Sequence, residues 1–184
     1  MPGPKLADRK EDTAKVIDEN IAEQIRRNLP RRYRLAQNWN LLYSLDQHGS
    51  SISTLYHRIK GKGPLVLAIK DDDDGIFGAF VNEPFRPNPS YYGTGECFLW
   101  KALLSDRPED AQVRVYPWTG RNDYILLCDS GFIGIGGGDG KFGLWLHSDL
   151  ERGHSERCVT FDNELLSSSS EFECVQLEVW GFKI

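Results

Sequence analysis

After Pro64 the apolar residues of this chain stop recurring every third or fourth position and fall into short runs of strand length, each bounded by Gly, Pro, Asn, Asp or Ser. LVLAIK (65–70) and IFGAFV (76–81) are joined by DDDDG, a hairpin connection by composition. Further runs occupy 96–103, 112–118, 124–128, 132–135, 141–147, 158–161 and 171–182. In the last, Val175, Leu177 and Val179 share one face, and Phe172, Cys174 and Trp180 share the other with Gln176 and Glu178, as strand alternation requires. FGLWLH is apolar on both faces, which suits a strand covered on both sides. A succession of short strands with turns between them pairs antiparallel and must close its apolar faces against one another, so the expected fold is mostly β with flanking helices (α+β), an antiparallel β-sandwich.

The first third of the chain has a different period. Ala14, Ile17, Ile21, Ile25 and Leu29 lie on one stripe of a helix expected over 12–29, which Pro30 ends. Tyr33 to Leu45 reads as a buried segment around Trp39, Leu41 and Tyr43. In HGSS (48–51), Ser50 or Ser51 can cap a second, short helix with Ile52, Leu55, Tyr56 and Ile59 facing inward, stopped by Gly61-Lys62-Gly63-Pro64. Residues 1–11 are charged and proline-containing and are expected to be a flexible lead, followed by one domain over 12–184 with its sandwich core at about 30–182. A length of 184 residues suits one domain with a substantial core.

The densest local feature is GFIGIGGGDGKFGLWL (131–146), with seven glycines. A P-loop needs a Gly five residues before a Gly-Lys-Ser/Thr triplet, and here Ile135 and Phe142 occupy the first and last of those positions. The dinucleotide fingerprint begun at Gly134 meets Asp139 in place of its third glycine, and no long helical pattern follows. The stretch is therefore read as a tight link between neighbouring strands.

Other chemistry is sparse. The Asp71–Asp74 run has Lys70 and Val81 where a calcium loop needs acids. His154 and Cys158 lack a second pair for zinc. No G-x-S-x-G elbow occurs. Four widely spaced cysteines, without a C-x-x-C, are read as reduced thiols in a reducing compartment. Cys97 is the candidate nucleophile, because a neighbouring turn can expose it, although Glu96 raises a thiol pKa; a packed core thiol is the alternative. No apolar run approaches the ~20 residues of a membrane helix, and the N-terminus does not resemble a signal peptide, so a soluble intracellular protein is expected.

The net charge of −5 is uneven: residues 1–34 carry nine Lys/Arg against six Asp/Glu, and Arg26, Arg27, Arg31, Arg32 and Arg34 form a basic cluster. That cluster reads either as a surface for an acidic partner or as a solvated helix end, and an acidic remainder argues against a nucleic-acid binder. The polar groups concentrate in loops at His48 and Ser51, 91–96, 121–123, 139–141 and 149–154, which suits recognition of a macromolecule.

WNLLYSLDQHGSSISTLY, GIFGAF, YYGTGECFLW, the WTG at 118–120, GGGDGKFGLWL and LEVWGF, in that order from about Leu29 to Phe182, resemble the TLDc domain of the oxidation resistance proteins. No LysM, GTPase-activating or EF-hand module accompanies them, so the chain resembles a short oxidation resistance protein or the isolated domain. The resemblance implies a helix-flanked β-sandwich, protection against oxidative stress, and binding to the peripheral subunits of the vacuolar proton-pumping ATPase, favouring its disassembly or inhibition. It implies no catalytic mechanism, cofactor or metal. The expected partner contacts are His48, Ser51, Asp139, Lys141, Asp149 and Arg152, with Arg26 to Arg34 as a second surface. The expected setting is a cytoplasmic monomer recruited to the vacuole or lysosome surface without membrane insertion, with mitochondrial or nuclear pools. The alternatives are a thiol-dependent enzyme scavenging peroxide through Cys97 and a nuclear co-regulator.

Overall fold

LVLAIK is apolar on both sides because it lies in a sheet covered on both sides. The computed structural model describes residues 3–183, and along them run β1 (Lys5–Ala7), α1 (Glu19–Arg26), α2 (Arg31–Arg34), β2 (Asn38–Ser44), α3 (Leu45–His48) and α4 (Ile52–Ile59). They are followed by β3 (Leu65–Asp71), β4 (Ile76–Val81), β5 (Phe98–Leu103), β6 (Gln112–Pro117), β7 (Leu126–Cys128), β8 (Phe132–Ile135), β9 (Leu144–His147), β10 (Arg152–His154) and β11 (Glu171–Lys183). The strands run β6-β5-β4-β3-β11-β10-β9-β8-β7, with β2 also on β11 and β1 parallel to β2; the other pairings are antiparallel.

β11 belongs to two sheets. Its first residues pair with β10, and its later ones lie between β2 and β3. The second sheet (β7 to β10) folds back over the first, and Leu67, Ile69, Phe77 and Leu99 meet Leu126, Ile133, Ile135, Leu144 and Leu146 in the larger core. Helix α4 closes that core with Ile52, Leu55 and Ile59. On the other face of the first sheet, Val66, Ala68, Phe80, Trp100 and Trp180 pack against Ile17, Ile21, Ala22 and Ile25 of the N-terminal region. The expected mostly β, α+β architecture is what the chain adopts.

Several local expectations are corrected. The first helix begins at Glu19, not at Asp12: Asp18 caps it by accepting from Ile21 N (2.9 Å). Upstream, Ala14 N donates to Asp46 Oδ2 (2.9 Å) and Ile17 N to Glu178 Oε1 (3.2 Å), so long-range side chains take the N–H groups a longer helix would use. Residues 3–11 are not a loose lead, since β1 pairs with β2 and Arg9 is bonded to Glu178; Met1, Pro2 and Ile184 lie outside the described residues.

Residues 158–161 form a turn in place of a strand, because Asp162 N bonds Cys158 O (2.8 Å) and the Asn163 side chain accepts from Cys158 N (3.2 Å). In β11 the register shifts between Cys174 and Gln176, leaving Val175 49% exposed and placing Phe172 and Cys174 in the same core as Leu177 and Val179. β9 is covered on one side only: Leu144 and Leu146 are in the core, whereas Trp145 and His147 are half-buried on the outer face, beside Phe132.

Candidate docking surfaces

Four of the six expected contacts come together. Ile52 N donates to Ser148 O (3.3 Å), tying the turn at 48–51 to the turn between β9 and β10. His48 ends α3, and its Nδ1 accepts from Ser44 N (3.0 Å), which puts the ring proton on Nε2. Burial lowers the His48 pKa, with Arg58 and Lys10 acting in the same direction, so this imidazole is neutral at pH 7. Ser51 caps α4 by accepting from Thr54 N (3.3 Å). Across the seam, Asp149 accepts from the N–H groups of Glu151 (2.9 Å) and Arg152 (3.2 Å) and from Arg152 Nε (3.0 Å). Burial opposes ionisation of Asp149, yet these donors outweigh it and hold the carboxyl below its usual range. The result is a preorganised polar ridge from which the Arg152 side chain projects. Arg152 also lines a shallow depression of about 430 Å³ on the outer face of the second sheet, with Trp145, His147, His154 and Glu171.

Asp139 and Lys141 lie elsewhere, in the β8–β9 connection at the other end of β9, and both are exposed. This connection is the glycine-rich stretch, and three of its amides are bonded internally: Gly136 N donates to Ile125 O (2.7 Å), Lys141 N to Gly138 O (3.1 Å) and Gly137 N to the Thr160 hydroxyl (2.8 Å). With positive φ at Gly136, Gly138, Asp139 and Gly140, the stretch turns tightly between β8 and β9, in agreement with a strand-to-strand link.

Buried Thr160 is the centre of this end of the molecule. Its hydroxyl donates to Asn122 Oδ1 (2.8 Å), and its carbonyl accepts from Thr119 N (2.9 Å). Trp118 Nε1 donates to Asn122 O (2.7 Å), and Gly95 lies so close under the Trp118 ring that an added Cβ would sit 2.2 Å from it. The Tyr91 and Tyr124 rings pack in a tilted arrangement with centroids 4.9 Å apart. The motifs YYGTGE, WTG and GGGDGK thus converge on one rim, where Trp118 is 38% and Tyr124 47% exposed. Sequence reasoning missed Trp118, Asn122, Tyr124 and Thr160 as a unit. Its available signal was the WTG beside a run of Gly, Asn and Tyr.

The Arg26–Arg34 cluster is largely engaged. Arg26 pairs with Glu23 (2.6 Å), Arg32 with Glu96 (2.6 Å), and Arg34 Nε and Arg26 Nη1 donate to Leu29 O and Arg34 O past the end of α1. These bonds suit the end of α1 and the short α2 that follows it, with Arg31 and Arg27 exposed beside them.

Cys97 is not placed as a nucleophile. It is 1% exposed, its Sγ lies 3.0 Å from Asn82 Oδ1, and burial pushes the thiol up to about 11, with Glu96 and Glu83 adding to the rise. Cys128, Cys158 and Cys174 are buried and raised for the same first reason, Cys174 to about 12. Among the described residues no set of three His, Cys, Asp or Glu is arranged to hold a metal ion, and no helix is long and apolar enough to cross a membrane.

A sequence model of the TLDc domain matches residues 10–183. The chain is 41% identical over 175 residues to oxidation resistance protein 1 of Eremothecium gossypii, covering 90% of this chain and 73% of that protein. It is 37% identical over 206 residues to the protein of the same name from Podospora anserina, covering 91% of this chain and 60% of that one. It is also 42% identical over 168 residues to nuclear receptor coactivator 7 of Homo sapiens, covering 91% of this chain but 17% of the coactivator. The chain thus corresponds to three fifths of the Podospora protein and to a small part of the coactivator. With the β-rich architecture, the ordered motifs and a match over nearly the whole sequence, the conclusion is that the chain belongs to the TLDc domain family.

Proposed function

We propose that this chain is a non-catalytic docking module of oxidative stress resistance that binds the peripheral subunits of the vacuolar proton-pumping ATPase and favours their separation. The observation that carries the non-catalytic part is the state of the polar groups. The four thiols are buried and protonated, while two loop rims present accessible polar side chains on turns held by internal hydrogen bonds. Such rims are preorganised for recognition, because little conformational entropy is lost when a partner closes over them. The ATPase as partner is carried over from the family resemblance alone, while the oxidation resistance names of the relatives support the stress-resistance part. The protein acts in the cytoplasm at the vacuole or lysosome surface. A module of this kind shifts an assembly only through a preference between states, ~1.4 kcal/mol for each factor of ten in the equilibrium.

The match to nuclear receptor coactivator 7 favours a second reading, in which the same module serves a nuclear co-regulator. Affinity capture from cells with the wild-type chain, Arg152→Glu and Lys141→Glu separates the readings. Recovery of peripheral ATPase subunits, reduced by either charge reversal in a variant that melts like the wild type, supports the first. Recovery of nuclear factors without ATPase subunits overturns it.

A further inference from the structure

Helix α4 is capped at Ser51 and ends at Ile59, about 12 Å away at 1.5 Å per residue. At that far end a groove of about 290 Å³ opens between the last turn of the helix and the loop 84–87. Its floor is apolar, made by the Tyr56 ring, Pro84, Phe85 and Pro87. Both walls are fixed. The Tyr56 hydroxyl donates to Asp129 O (2.7 Å), and the Tyr92 hydroxyl accepts from Arg86 N (2.9 Å) and donates to Pro84 O (3.1 Å). Phe85 is buried in the main core beneath. The groove is therefore preformed.

Its rim is cationic. Lys60 stands on the helix side, and Arg86 stands on the other, its guanidinium 4.1 Å from the Tyr92 ring centroid and partly offset by Glu83 at 3.1 Å. The bias extends beyond the rim. Residues 47–64 contain Arg58, Lys60 and Lys62 and no Asp or Glu, in a chain whose net charge is −5, while Glu83 and Asp129 are the acids nearest the other wall. The carbonyl end of α4 contributes a fractional negative charge here, which the neighbouring cations outweigh. An apolar slot with room for a large side chain, bordered by Lys60 on one wall and Arg86 on the other, is complementary to a peptide of opposite pattern.

We infer that this groove binds an acidic segment of a protein partner, with one large apolar side chain of the segment seated on Phe85 and the prolines and flanking carboxylates facing Lys60 and Arg86. The site stands on its own geometry and does not depend on the identity of the partner proposed above.

The test uses the full chain and a fluorescein-labelled peptide of glutamates and aspartates around one tryptophan, followed by fluorescence anisotropy. The expected result is saturable binding, weakened about tenfold or more when serine replaces the tryptophan, since a buried aromatic anchor carries much of such an interface. Lys60→Glu and Arg86→Glu, both at exposed positions, weaken it further, added salt does the same, and amide shifts cluster at Phe85, Arg86 and His57. Equal affinity for the two peptides, or wild-type affinity in Lys60→Glu with a native circular dichroism spectrum, overturns the inference. So does self-association of the chain that the peptide fails to displace, which would assign the groove to a second copy.

Discussion

Arg9 and Glu178, 169 positions apart in the chain, form a two-pronged ion pair with Nε–Oε2 and Nη2–Oε1 distances of 2.9 Å. Their side chains are 8% and 1% exposed. Glu178 also accepts from Ile17 N (3.2 Å) and Trp180 Nε1 (3.2 Å), and Arg9 Nη2 reaches Ile17 O (2.7 Å). The pair thus fastens the segment before α1 to the strand that joins the two sheets. Removing one partner strands a charge in the interior, so Arg9→Met is expected to cost about 3–5 kcal/mol. Arg9→Met combined with Glu178→Met is expected to be less destabilised than Arg9→Met alone, because no orphan charge remains. Urea unfolding of the three proteins checks this, and an additive double variant would contradict it.

The Thr160 hydroxyl connects three loops through Gly137 N and Asn122 Oδ1. Thr160→Val keeps the shape and removes the bonds, leaving the Gly137 N–H buried without its acceptor, at an expected cost of about 1–3 kcal/mol. Thr160→Ser keeps the hydroxyl and loses one methyl, at about 0.8 kcal/mol. Thermal unfolding should rank wild type, Ser and Val in that order, and a Val protein as stable as the Ser protein would mean the network contributes little.

Two glycines make opposite predictions. A Cβ on Gly78, inside β4, would lie 1.8 Å from Leu67 O of the neighbouring strand, so nothing can relax without breaking the sheet. Gly78→Ala is expected to cost at least ~3 kcal/mol and to yield little folded protein. A Cβ on Gly95 would meet the ring of Trp118, which is 38% exposed and can swing away. Gly95→Ala is expected to fold, with a changed tryptophan emission and loss of partner capture if the aromatic rim is a contact. The soluble yield and emission spectrum of the two variants check the contrast.

Much of this architecture was legible because burial on two sides leaves a double signal: LVLAIK places Leu65, Leu67 and Ile69 in one core and Val66 and Ala68 in the other. The Ser51 cap and the inward stripe of α4 were equally local, hence readable. What escaped depends on partners far along the chain. β1 and β10 are three residues each, too short to show a period, and exist because β2, β9 and β11 are beside them. The stripe through Ala14 is accidental, since Asp46 takes that N–H and Ala14 itself is exposed. The candidate site was visible as polar loops, but whether His48 sits nearer to Asp149 than to Asp139 is decided by the Ile52–Ser148 bond, which no local pattern encodes.

The thiols fix the alkaline limit of the fold. Burial raises Cys97 from 9.0 to about 11 and Cys174 from 9.0 to about 12, and it raises Cys128 and Cys158 as well. In the unfolded chain these groups lose protons near their ordinary value, while the folded chain still holds them, so the native state binds more protons throughout that interval. The stabilisation is complete below pH about 9 and is lost as pH rises toward about 11 to 12. Tyr56 and Tyr92, also raised first by burial, act with the same sign. The urea midpoint is therefore expected to be flat with respect to these groups up to mildly alkaline pH and to fall steadily beyond it. Iodoacetamide at neutral pH is expected to leave the four cysteines unmodified until urea unfolds the chain, because alkylation requires an accessible thiolate. Rapid labelling of Cys97 in the folded protein, with repeated turnover of peroxide, would restore the enzymatic alternative; consumption of at most one equivalent per thiol, only after unfolding, is the expected outcome.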